Sequence, residues 1–153
     1  MRRLLAALVI VVTTAVAAPV FGQDKALEGD LKKLQGKWST KGPDGSPIVL
    51  VFEKDKVAIK LIAPSGEERT IEGDFTIDEN ATPRAMTWTN VKVRAKDVPN
   101  MSAIYTLSDE ETLKIAGIGG AKRPKEFIEK GKELPGIRPN TMTLTRAKDE
   151  PKK

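Results

Sequence analysis

Two hydrophobic periods follow one another early in the chain. Leu27, Leu31 and Leu34 recur at spacings of four and three while Lys32 and Lys33 face away, which predicts a short helix over residues 23–35. Gly36 suits its end, because glycine accepts a left-handed backbone without a Cβ clash. From Lys37 the period becomes two. Lys37 and Ser39 fall on one side and Trp38 and Thr40 on the other, as in a strand.

The alternation persists. Gly42-Pro43-Asp44-Gly45 is a turn before the apolar run Ile48 to Phe52, and Lys54-Asp55-Lys56 connects that run to Val57, Ile59 and Leu61. After a turn at Pro64-Ser65-Gly66, residues Ile71, Gly73, Phe75 and Ile77 share one face of a long strand. Pro83 precedes a strand with Met86 and Trp88 inward, and residues 92–100 form a polar connection. Residues 101–107 and 112–116 pair across the acidic turn 108–111, with Leu113 and Ile115 inward. The segment 117–140 is too rich in glycine and proline for a regular element beyond a short piece around Phe127. Residues 141–146 end the pattern as a threonine-rich strand with Met142 and Leu144 inward. The sum is an all-β protein of about eight short antiparallel strands, a sandwich or barrel, after one helix.

The two outermost strands favour the barrel. If they pair, Arg146 can lay its guanidinium over the Trp38 indole, a contact worth roughly 0.5 to 2 kcal/mol as it loses water. The helix before Gly36 then plugs one end with Leu27, Leu31 and Leu34. Gly36, Trp38 and Arg146 are thus expected to be structural, and closure removes exposed sheet edges.

The N-terminus has an export-signal layout. Arg2 and Arg3 precede an apolar run from Leu4 to about Ala18, and Val20-Phe21-Gly22 offers small residues for cleavage after Gly22, with Ala17 or Ala18 as the alternative. The run is shorter than the roughly 20 apolar residues of a membrane span, so no stable span is expected after cleavage. No cysteine follows it, which excludes a lipid-anchored lipoprotein. The expected organisation is a signal over residues 1–22, one domain over 23–147 and a solvated tail over 148–153, in a periplasmic or extracellular protein.

Composition narrows the chemistry. The 153 residues include no histidine and no cysteine. Ser-His-Asp and Cys-His catalysis are excluded in their usual forms, as are disulfides and His- or Cys-ligated metals. Lys and Arg number 26 against 21 acids, but the signs alternate along the chain, which gives no reason to expect nucleic acid as a partner.

Gly36-x-Trp38 on the first strand and Arg146 on the last resemble the lipocalin family. "LKKLQGKW" (Leu31 to Trp38), "IYTLSDEETLKIA" (Ile104 to Ala116), "KRPKEF" (Lys122 to Phe127) and "LTR" (Leu144 to Arg146) are more closely similar to a lipocalin-like domain of unknown function found in exported planctomycete proteins. The likeness covers residues 27–147. It implies a small up-and-down barrel and carries no activity with it. The chain departs from the pattern by lacking a cysteine near Ala116 and by a longer loop over residues 131–140.

Candidate chemistry is sparse. Trp88, Tyr105 and Phe75 are the aromatics suited to lining a ligand site in the barrel, and Arg123 in Arg123-Pro124-Lys125-Glu126-Phe127 suits an anion-binding rim or a local ion pair. Gly117-Ile118-Gly119-Gly120-Ala121-Lys122-Arg123 lacks the spacing and the Ser or Thr of a phosphate loop. Neither Asp109-Glu110-Glu111 nor Asp78-Glu79-Asn80 has the alternating oxygens of a calcium loop. No catalytic residue, metal or cofactor is expected. Two roles remain open: a module that binds a small apolar ligand in or at the mouth of the barrel, and an envelope module with a filled barrel that contacts another protein. An enzyme ranks third, and the oligomeric state is open.

Overall fold

The structure, a computed structural model, describes residues 27–132 and 140–147. The expected signal, helix residues 23–26 and the tail at 148–153 lie outside the described residues. One helix, α1 (Gly29–Leu34), precedes nine strands: β1 (Gly36–Lys41), β2 (Pro47–Glu53), β3 (Lys56–Ile62), β4 (Glu68–Asp78), β5 (Ala85–Val93), β6 (Lys96–Asp97), β7 (Met101–Leu107), β8 (Thr112–Ala116) and β9 (Thr141–Arg146).

Eight of the strands close a ring. β1 to β5 pair antiparallel in chain order, β5 continues to β7, β8 and β9, and β9 returns to β1. This is an up-and-down antiparallel β-barrel, the all-β architecture that the alternation and turn spacing predict. The ninth strand, β6, stands outside the ring as a two-residue hairpin partner of β5. It falls in the expected polar connection at 92–100. Its turn residues Arg94 and Ala95 have φ of 50° and 62° without the Asn-Gly chemistry that betrays such a turn in sequence.

The helix is also shorter than its periodicity predicts. Gly29 has φ of 56°, so regular α-geometry cannot run through it from the N-terminal side, and Leu27 precedes the helix half-buried.

Between β4 and β5 the register shifts across Gly73, with Glu72 opposite Lys92 but Asp74 opposite Thr89. Asn90, at φ 51°, absorbs the extra residue, and Val91 turns inward to 1 % exposure three positions after the equally inward Trp88. Gly73 is required there, since a Cβ would lie 2.9 Å from the Thr89 carbonyl oxygen.

The barrel interior is filled. Trp38, Trp88, Tyr105, Phe52, Leu50 and Met86 are each below 2 % or at 2 % exposure, and Phe52 meets Phe75 edge to face at 4.8 Å. Burying such side chains stabilises the fold by about 1.5–3 kcal/mol each. With an up-and-down order, α1 and the turns at 54–55, 79–84 and 108–111 share one end of the barrel. The connections at 42–46, 63–67 and 94–100, with residues 117–132 and 140, share the other.

Candidate functional site

The two ends differ in how they are finished. At the helix end, Leu34 is buried beneath α1 and its carbonyl accepts the Trp38 indole N–H at 2.7 Å. Arg146 lies over the same indole, 4.3 Å from the ring centroid. Its Nη1 donates to the Gln35 carbonyl at 2.8 Å, Nη2 to Lys33 at 2.7 Å and Nε to Glu110 at 2.8 Å. A cation on the last carbonyls of a helix is favoured by its dipole. The helix is therefore terminated by a side chain from β9, with Gln35 extended and Gly36, at φ 102°, already in β1. An added Cβ at Gly36 would lie 3.3 Å from Arg146 Nη1. Gln35 ties the helix to the β2–β3 turn as well: its Oε1 accepts the Lys54 N–H at 2.6 Å and its Nε2 donates to the Leu31 and Lys54 carbonyls.

A buried acid completes this end. Asp30, 4 % exposed, accepts at Oδ2 from Arg84 Nη1 at 2.8 Å and from the Tyr105 hydroxyl at 3.1 Å. Its own N–H donates to Glu79 Oε1 at 2.8 Å, and Gly29 leaves the room for that carboxylate, which a Cβ would meet at 2.6 Å. Burial first, then the Asp30 charge, pushes the Tyr105 phenol well above the usual tyrosine value. These groups bind one another and hold α1 down, and that is their chemistry. The cluster was not among the expected site residues. Its signal was Asp30 itself, which falls with Leu27, Leu31 and Leu34 on one helical face, where an acid must find a partner.

The opposite end is open. The β1–β9 ladder consists of Trp38 opposite Arg146 and Ser39 opposite Thr145, and it stops there. Thr40 and Lys41 continue β1, and Thr141 to Leu144 belong to β9, without pairing across the seam. A pocket of ≈ 770 Å³ lies at the mouth, beyond the end of this ladder. Its apolar wall is Ile48, Ile59, Leu61, Ile71, Ile118 and Met142; Thr40, Lys41, Thr141 and Thr143 form the strand edges, and Lys130 and Asn140 come from the long connection.

That connection is pinned in place. Asn140 exchanges two bonds with Ile128, its N–H donating to the carbonyl at 3.0 Å and its Oδ1 accepting the N–H at 2.9 Å. Glu129 pairs with Lys114 of β8 and, at 3.2 Å, with Lys132; the two ammonium groups hold its carboxyl below the usual range.

The residues expected to line a ligand site are not brought together. Phe75, Trp88 and Tyr105, at 2 %, 1 % and 0 % exposure, belong to the packed core, whereas the mouth pocket is lined by aliphatic residues. The reason is the scarcity of aromatics in a barrel that must be filled. The Trp88 indole N–H is buried without a partner among the described residues. Arg123 lies on the outer wall and donates to the Thr87 hydroxyl at 2.7 Å, and among the described residues it pairs with no carboxylate. Gly36, Trp38 and Arg146 meet at the closed end of the seam. Among the described residues, no group of three or more Asp or Glu is placed to hold a metal ion.

The fold and its two unequal ends define a closed eight-stranded antiparallel β-barrel with one mouth. No protein-family model matches the chain, and no match is found among curated proteins or solved structures.

Proposed function

We propose that this barrel is an exported lipocalin-like binding module that takes a small, largely apolar molecule at its mouth and not in its interior. The observation that carries the reading is the ≈ 770 Å³ pocket with an aliphatic wall, within the usual 300–1,000 Å³ of small-molecule sites. The filled core moves the site outward from Phe75, Trp88 and Tyr105 to Ile48, Ile59, Leu61 and Ile71. Export rests on the N-terminal signal pattern, and the lipocalin likeness on Gly36, Trp38, Arg146 and the segments around them.

A neutral fluorescent probe such as N-phenyl-1-naphthylamine tests it. Saturable binding at one probe per chain is expected, with Leu61→Trp weakening it at least tenfold while leaving the thermal midpoint within a few degrees. Binding that is absent, or indifferent to Leu61→Trp in a folded variant, refutes the mouth site. It would favour the second reading, an envelope module that contacts another protein, for which the filled interior is the supporting observation.

A further inference from the structure

The mouth pocket is asymmetric in charge and in hydrogen-bonding capacity. Among the described residues, its lining contains two lysines, Lys41 and Lys130, and no acid. Both are exposed, and neither has an ion-pair partner among the described residues. A lysine in such a wall lays its methylene stem along apolar surface and keeps the ammonium at the water boundary. The nearby acid Asp44 is engaged in its own turn, accepting the Ser46 N–H at 3.0 Å.

The backbone adds to this. In an antiparallel ladder, alternate residues direct their N–H and C=O groups to the same neighbour. The Ala147 N–H donates to the Lys37 carbonyl at 2.9 Å, and the register pairs Ser39 with Thr145. Lys37, Ser39 and Lys41 therefore face β9, and Thr145, Thr143 and Thr141 face β1. Beyond Ser39 and Thr145 the ladder ends, so the main-chain groups of Lys41, Thr143 and Thr141 are directed into a seam that does not zip. All three residues line the pocket. Lys41, Lys130 and the strand-edge residues Thr141 and Thr143 thus line the same pocket as the aliphatic wall.

We infer that the ligand is an amphiphile: a hydrocarbon body against Ile48, Ile59, Leu61 and Ile71, and an anionic head, carboxylate or phosphate, held at the β1–β9 seam by Lys41 and Lys130. A cationic head meets like charge at this seam, and a neutral one forgoes the attraction of two ammonium groups. The inference rests on the mouth site proposed above and adds the head group.

Displacement of N-phenyl-1-naphthylamine from the full chain by four ten-carbon compounds, at low salt and neutral pH, tests it. Decanoate, decyl phosphate, 1-decanol and decyltrimethylammonium share one chain and differ in the head. At least one of the two anions is expected to bind about tenfold more tightly than 1-decanol, and the cation more weakly than either. The better of decanoate and decyl phosphate identifies the head. In Lys41→Gln/Lys130→Gln, anion and alcohol should converge to within about twofold; because both side chains are exposed, this variant keeps its fold. Raising the salt should shrink the anion preference, as expected of exposed charges. Equal binding of anions and alcohol by the unaltered chain overturns the head-group assignment while leaving the mouth site standing. A preference that survives the double substitution also overturns it. Failure of the probe and all four compounds to bind refutes the mouth site and the head group together.

Discussion

Arg146 joins three backbone carbonyls and one indole, and Lys33, Gln35, Glu110 and Trp38 come from three different parts of the chain. A lysine at this position keeps the charge but not the planar fork that reaches all three oxygens. Arg146→Lys is expected to lower unfolding stability by about 2–4 kcal/mol, from lost charge-assisted hydrogen bonds and ring contact. Urea denaturation checks this, and an unchanged midpoint would show that the contacts are not energetically coupled to folding. Tyr105 gives an independent reading of the same end. It is the one tyrosine of the chain, so tyrosinate absorbance near 295 nm reports it alone. Because the folded phenol titrates higher than the unfolded one, the stability it contributes is fully present below about pH 10 and is lost as the pH rises further. The native protein should show no tyrosinate at pH 10.5, where the urea-unfolded chain shows most of it; coincident curves would place Tyr105 in water.

At the scale of elements, the connection between β8 and β9 depends on charge. Glu129 is held as a carboxylate by Lys114 and Lys132, so its contribution is present above the ordinary carboxylate value and is lost as the pH falls through the lowered folded value. Limited proteolysis within residues 117–132 is expected to accelerate at pH 3 relative to the barrel strands, and Glu129→Gln should reproduce the acceleration at neutral pH. Equal cleavage of Glu129→Gln and the unaltered chain would remove Glu129 from the device. Elements of this kind were not legible in the sequence, since the pairing of Glu129 with Lys114 crosses a connection without a period. Strands were legible wherever alternation ran unbroken, as in Val57-Ala58-Ile59-Lys60-Leu61. β5 was legible only up to Thr89, because the bulge at Asn90 reverses the parity of Val91. The closing pair Trp38 and Arg146 could be read from residue type and shared face. The mouth could not: its aliphatic residues look like core until the β1–β9 ladder is seen to stop at Ser39 and Thr145.

Across the whole molecule, the stiff and the open parts are separated by the length of a strand. The helix end is fastened through Arg146, Gln35 and Asp30 to β9, the β2–β3 turn, the β4–β5 connection and β7. At the mouth the β1–β9 ladder has already ended, and the β8–β9 connection is held by Asn140 on Ile128 and by Glu129 on Lys114. This also sets an order of events for a chain made from its N-terminus. Arg146 reaches back to Lys33 across a separation of 113 residues, so the carbonyls at the end of α1 wait for their cation until every other strand has left the ribosome. Until then the sheet has two free edges and the helix has no lock. The last strand made converts an open sheet into a sealed ring, and a nascent chain is kept from closing by the plain arithmetic of synthesis.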